Sequence, residues 1–217
     1  MATERACWAL GCGLIALYAV ARTDAAVNGR ADLARVASVA YPVEAATATT
    51  SDVQLAVPAI YSPTPRTDLP TDLPSNLVGA LEIPSVGLRA ALYADTSEVH
   101  LNRGVGLIPG MAAPGEVGNL GVAAHRDGTF RPLEHIEVGA TVELHAANQR
   151  YVYRVTSIAV VDRSDAALLR RTDESVITLV TCYPFRFVGR APHRFVVRGS
   201  LDSASEAVAP VTQRQRW

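Results

Sequence analysis

The sequence predicts an all-β domain over residues 77–201, with about eight short strands and helical turns inserted between them. Three observations carry that prediction. Short apolar or alternating runs recur at regular spacing through this region. Glycine and proline punctuate them, as at Pro84, Gly87, Pro109-Gly110 and Pro114-Gly115, and these residues mark turns and loops. Val176 to Val180 is a β-branched apolar run of the kind that forms a strand covered on both faces. Periodicity alone leaves barrel and sandwich equally open.

Taken in order, the chain begins with an uncharged, mostly apolar run from Ala6 to Ala21. It is a little short of the roughly 20 residues that cross a bilayer comfortably. Residues 1–22 are expected to form an N-terminal membrane helix, a signal anchor; the competing reading is a signal peptide cut after Ala19-Val20-Ala21. Residues 23–76 are rich in Ala, Thr, Ser and Pro and read as a flexible linker, with a helical turn or two over Asp32–Ala40. Within it, Leu69-Pro70-Thr71-Asp72 is a candidate lid that imitates a substrate.

The domain proper opens with Leu77–Pro84 and Gly87–Tyr93, two strands joined by a tight turn. Asp95–Gly104 reads as a short helix with Asp95 or Thr96 as cap and Gly104 as stop. Gly118–Ala124 is a small-residue strand leading to His125, and Phe130–Ile136 is a helical turn. Thr141–His145 alternates polar and apolar residues. Arg150–Val161 follows through Asn148-Gln149, which predicts a hairpin. Ser164–Arg171 is a capped turn, and the strand at Val176 continues through Thr181 to Cys182, where Pro184 forbids further regular pairing. Arg194–Leu201 is the last strand, and residues 202–217 form a polar, disordered tail.

Composition excludes some functions. The net charge of −1 supplies no basic field for nucleic acid. All 20 basic residues are arginine, so the chain has no lysine amine to serve as an acceptor for its own chemistry. Of three cysteines, Cys7 and Cys12 lie in the N-terminal run, leaving Cys182 alone in the domain. The histidines have no second cysteine near them, so neither a metal nor a cofactor is expected.

Cys182 stands where a rigid strand hands over to a loop, which fixes its backbone and leaves the sulfur reachable. A buried cysteine acting as a small hydrophobe is the plainer reading. His125 and Arg194 also fall at strand ends, and in a closed barrel neighbouring strand ends meet at one rim. A thiolate, an imidazole and a fixed guanidinium in one groove suit acyl transfer, as nucleophile, proton donor and oxyanion partner. Alternation along the last strand sends His193 to the face opposite Arg194.

At these residues the sequence resembles the sortases, the cysteine transpeptidases of bacterial surfaces. The resemblance rests on Thr-Leu-Val-Thr-Cys182-Tyr-Pro-Phe, Ala-Ala-His125-Arg-Asp and Ala-Pro-His-Arg194-Phe-Val-Val-Arg, and is strongest to class D and to single-copy Gram-negative sortases. It implies a closed eight-stranded β-barrel over residues 77–201. It implies cleavage of a Leu-Pro-x-Thr-Gly-like sorting signal between Thr and Gly, through a thioacyl intermediate on Cys182 that an amine or water resolves. His125 would be the general acid and base, and Arg194 the oxyanion or substrate group. Thr181 would contribute to the substrate pocket. From the residues themselves, Arg126 and Asp127 either order His125 or the groove, or form a turn with a surface ion pair. The family usually has glycine before the histidine; Ala124 departs from that and adds a methyl to the groove.

The implied partners are substrate proteins with such a C-terminal signal, an amine acceptor, and the membrane through residues 6–21. The implied location is the cytoplasmic membrane, with the domain on its extracytoplasmic side. A cysteine peptidase that only hydrolyses and an inactive peptide-binding barrel are the competing readings.

Overall fold

Eight strands close into one barrel in the computed structural model, which describes residues 2–40 and 76–206. They are β1 (Leu77–Ile83), β2 (Leu88–Tyr93), β3 (Val105–Leu107), β4 (Asn119–Ala123), β5 (Thr141–Ala146), β6 (Gln149–Asp162), β7 (Val176–Tyr183) and β8 (His193–Glu206). Their order around the barrel is β1-β2-β3-β4-β7-β8-β6-β5, and β5 pairs back onto β1. Two pairs are parallel, β2 with β3 and β4 with β7; the rest are antiparallel. The barrel alternative is the one adopted, and short helical segments are inserted as expected.

The alternation of the strands turns one set of side chains inward. Leu81, Ile83, Leu92, Val105, Val122, Val142, Leu144 and Leu179 are fully buried there, with Phe130 and Leu133 plugging the interior from the turn after β4. Each such side chain contributes roughly 1.5–3 kcal/mol by leaving water.

The structure departs from the sequence reading at three places. The short strand β3 was not anticipated, because Gly104 and Gly106 break any visible period. β8 continues through Glu206, since residues 202–206, expected in the disordered tail, pair with the start of β6 as far as Glu206 opposite Gln149. Helix α1 (Ala2–Ala40) runs well past Ala21 into the stretch expected to be linker. Among the described residues no helix is long and apolar enough to cross a membrane, so the expected spanning helix at residues 6–21 finds no support. The alanine and glycine in that run dilute its hydropathy. The candidate lid at Leu69–Asp72 lies outside the described residues.

The C-terminal half of α1 docks on the barrel. Asp32 is buried and accepts hydrogen bonds from Tyr93 Oη at 2.7 Å and from Arg35 Nη1 at 2.5 Å. Val36 joins Leu77, Ala80, Ala91 and Tyr93 in a small apolar cluster. The backbone of α1 approaches closely at Gly29, where a Cβ would overlap the Arg103 carbonyl. Burial, then the Asp32 hydrogen bond, push the Tyr93 phenol far up. Tyr93→Phe strips one donor from a buried carboxylate and is expected to cost about 1–3 kcal/mol. Thermal unfolding, together with faster limited proteolysis at Arg30 and Arg35, checks this; an unchanged protein on both counts would mean the contact contributes nothing.

One pH response is built into β5. His145 is buried, and burial holds its pKa below the ordinary value despite the Glu82 and Glu143 carboxylates. The unfolded chain therefore takes up this proton first, so stability falls as pH drops below about 6.5 toward the depressed folded value. Glu143 hydrogen-bonds Arg150 Nε at 2.9 Å, which lowers its pKa, so its contribution is present above the ordinary carboxylate range and lost below it. His145→Gln is expected to flatten the Tm-against-pH slope between about pH 7 and 5 while leaving the more acidic limb; an unaltered slope would place the titration elsewhere.

Candidate active site

Pairing across β7 and β8 places the cysteine. Cys182 lies directly opposite Arg194 in the antiparallel register. Residues directly opposite one another project to the same face with Cβ atoms about 4.5–5.5 Å apart. Leu179 and Ile177 point into the core, so alternation turns Cys182 outward, and the thiol is half-buried rather than enclosed. The chain then leaves β7 through a cis Tyr183–Pro184 peptide.

His125 arrives from the other side. β4 runs parallel to β7, with Ala123 opposite Val180, and His125 follows two residues later. Ala124 N–H donates to the Val180 carbonyl at 3.4 Å, and Thr181 Oγ1 donates to the Ala124 carbonyl at 2.8 Å. Thr181 is therefore buried and does not line the cleft, contrary to the substrate-pocket expectation. Its hydroxyl instead fastens the backbone ahead of His125 to the strand that carries Cys182.

His125, Cys182 and Arg194 share one open cleft of about 340 Å³, with Asp127 also on its wall. His193 lies opposite Tyr183 in the register and is not among the residues lining the cleft. Arg126, adjacent to the histidine, holds the β7–β8 loop in place. Its guanidinium donates to the carbonyls of Pro184 (3.1 Å), Phe187 (2.7 Å) and Gly189 (3.3 Å) and lies 5.7 Å from the centre of the Phe187 ring. Arg131 adds a bond to the Phe185 carbonyl at 3.0 Å. The loop that roofs the cleft is thus pinned by two arginines from the β4 side.

Sequence reasoning missed several of these residues. Glu98, on the short helix α2 (Glu98–Leu101), brings Oε2 to 3.2 Å from His125 Nε2. Twenty-seven positions separate the two, and no local pattern signals the pair. The α2 helix is itself positioned by His100, which hydrogen-bonds Asp95 at 2.7 Å and stacks on Tyr93 at 4.6 Å. Arg163 and Arg190, also unanticipated, complete the cleft wall.

Glu98 is largely exposed, so the pair contributes little energy and acts by orienting the ring. If His125 moves protons in this cleft, Glu98→Ala is expected to lower kcat about two- to fivefold with KM nearly unchanged. Steady-state kinetics check this, and recovery in Glu98→Gln would show that hydrogen bonding matters more than charge.

Chemically, the cleft presents a thiol that can attack a carbonyl, an imidazole that can carry a proton, and a guanidinium that can meet developing negative charge. Among the described residues no group of three or more His, Cys, Asp or Glu side chains could hold a metal ion.

Comparison with known proteins agrees with this architecture. The family model described as the sortase domain matches residues 81–202, more than half of the chain. Sortase D of Bacillus subtilis is 30% identical over 122 residues, covering 56% of this chain and 62% of that protein, so the chain matches less than two thirds of that relative's length. The sortase C structure from Clostridium perfringens SM101 aligns at 31% identity with a TM-score of 0.54, over 59% of this chain and 71% of that one. The Clostridium perfringens Sortase D5 transpeptidase aligns with a TM-score of 0.54 over 59% of this chain and 82% of that one; at 24% identity this likeness bears on the fold alone.

Proposed function

Since the chain belongs to the sortase family, we propose that it is a transpeptidase that cuts a Leu-Pro-x-Thr-Gly-like sorting signal between Thr and Gly and joins the new carboxyl end to an amine. The observation that carries this reading is the register pairing of Cys182 with Arg194, with His125 set one strand away on the same cleft. The Cys182 thiolate attacks the threonine carbonyl carbon. The carbonyl oxygen takes the developing charge, and the Arg194 guanidinium donates hydrogen bonds to it. The tetrahedral species collapses as the C–N bond breaks, and protonated His125 gives its proton to the departing glycine amine. This leaves a thioester on Cys182. An acceptor amine then attacks the thioester carbonyl, His125 takes the proton, and the new amide departs as the thiolate reforms. Water in place of the amine gives hydrolysis.

Asp127, beside His125 on the cleft wall, is suited to receive the cationic acceptor before it loses its proton. The partners are substrate proteins that carry the signal near their C-terminus, together with an amine-bearing acceptor.

We place the protein at the extracytoplasmic face of the cytoplasmic membrane. The exposed Trp8, Leu14, Ile15, Tyr18 and Val20 on the first half of α1 support an apolar environment for residues 6–21. Cell fractionation tests that placement, and recovery wholly in the soluble cytoplasmic fraction would refute it.

For the activity, the full chain is incubated with fluorogenic Leu-Pro-x-Thr-Gly peptides and small amines. Cleavage at Thr-Gly with amine-dependent product, seen by mass spectrometry and lost in Cys182→Ala, is the expected result. Cleavage that yields only the free acid with every amine would make the protein a hydrolase. No cleavage and no covalent adduct on Cys182 would leave a peptide-binding barrel.

A further inference from the structure

Four arginines, Arg126, Arg163, Arg190 and Arg194, line the cleft against the single carboxylate of Asp127, although the whole chain carries a net charge of −1. They are not equivalent. Arg126 is spent on the loop carbonyls, and Arg194 bonds the carbonyl of its neighbour His193 at 3.0 Å. Arg163 and Arg190 are exposed and sit in no close ion pair among the described residues, although the Arg163 charge is felt by the adjacent Asp162 carboxylate. On the barrel wall, by contrast, Arg89, Arg150 and Arg154 each meet a carboxylate, from Glu82, Glu143 and Asp202.

The topology sorts these charges across the cleft. β6 lies beside β8, with Val161 opposite Arg194. Arg163 follows two residues on, its N–H donating to the Pro192 carbonyl at 3.2 Å, so it stands about 7 Å beyond the level of Arg194. Arg190 reaches the same cleft from the pinned β7–β8 loop. On the opposite side, next to His125, sits Asp127, while Glu98 contacts the His125 ring without lining the cleft. The cleft is therefore cationic on its β6 side and carries its one lining carboxylate, Asp127, on its β4 side.

We propose that Arg163 and Arg190 form a carboxylate-binding subsite, so that the cleft prefers a reactant bearing a carboxylate within reach of the bond exchanged at Cys182. This rests on the transpeptidase reading and names the chemistry of its reactant. Two reactants can supply the group: an acidic side chain in the sorting signal, or a carboxylate on the acceptor. Guanidinium groups held in no close ion pair take a carboxylate without breaking one, and their planar forks suit it.

The test measures binding and turnover separately, both with the full chain. Binding to Cys182→Ala is measured by fluorescence anisotropy for labelled peptides with Glu or Gln at the variable position, and by competition with triglycine or triglycinamide. The carboxylate form is expected to bind about tenfold more tightly than its amide, with the advantage shrinking at high salt. In Arg163→Gln/Arg190→Gln the ratio is expected to fall close to one, and in the double lysine variant to persist in part. A preference confined to the peptide pair or to the glycine pair assigns the source. Ratios near one for both pairs in the parent protein, or a preference that the double glutamine variant retains, would overturn the subsite. Turnover by the protein with Cys182 intact reads the other question. Carboxylate preference in binding without any cleavage would keep the subsite and reject the transpeptidase, and Cys182-dependent transfer without the preference would do the reverse.

Discussion

Cys182→Ala is expected to lower kcat/KM for sorting-peptide cleavage by at least about 10³-fold while leaving Tm within a degree or two. The two halves of that expectation have separate origins. The thiol is the sole candidate nucleophile on the cleft; the other lining side chains named above are imidazole, carboxylate and guanidinium groups. Under the proposed mechanism its removal leaves nothing to form the acyl intermediate. Stability is spared because Cys182 sits at the outward-facing end of β7, half-buried and outside the main apolar core, so alanine opens no interior cavity. Cys182→Ser is expected to be nearly as inactive, since a hydroxyl is a far weaker nucleophile than a thiolate at neutral pH. Kinetics and thermal unfolding on the same preparations separate the effects. More than about a tenth of parent activity in either variant would exclude the thiol as the nucleophile.

The residues nearest the chemistry were the easiest to anticipate, for a physical reason. Val176–Val180 is unambiguous because a β-branched run has few alternatives to a buried strand, and Pro184 fixes where it stops. His125 and Arg194 were readable as strand ends, and closure of a barrel gathers such ends at one rim. What the sequence could not show was lateral order. Nothing local says that β4 lies parallel to β7, and that pairing is what brings Ala124, and His125 after it, alongside Cys182. The inward turn of Thr181 follows from the same register: a threonine adjacent to the nucleophile reads as a pocket residue until its hydroxyl is found on the Ala124 carbonyl.

Other differences come from segments whose local preference is weak. Val105–Leu107 is too short, and too interrupted by glycine, to announce a strand; it forms because β2 and β4 on either side supply its partners. Residues 202–206 are polar, and they extend because β6 is long enough to pair with them. Residues 23–40 combine alanines, a good helix former, with scattered charge. The buried Asp32–Tyr93 contact, 61 positions apart, secures that part of α1 on the barrel. Glu98, Arg163 and Arg190 belong to the same class of miss. Each is an ordinary exposed charge in the sequence and acquires meaning only from what stands opposite it in the fold.

Arg194→Ala is expected to lower kcat about 10²- to 10³-fold, the range seen when one oxyanion donor is removed, with a smaller change in KM. The expectation follows from placement under the proposed mechanism: Arg194 stands opposite Cys182 in the register, on the same cleft, where its guanidinium can meet charge that appears only as a tetrahedral species forms. Arg194→Lys should recover only part of the loss. An ammonium keeps the charge but lacks the planar fork. Alkylation of Cys182 by iodoacetamide supplies the control, because the half-buried thiol on the open cleft should still react in both variants if Arg194 acts on the oxyanion rather than by holding the cleft open. A raised KM with unchanged kcat would move Arg194 from the reacting centre to substrate capture. It would then belong with Arg163 and Arg190 as part of one cationic wall, and the oxyanion would have to be met by backbone N–H groups of the β7–β8 loop instead.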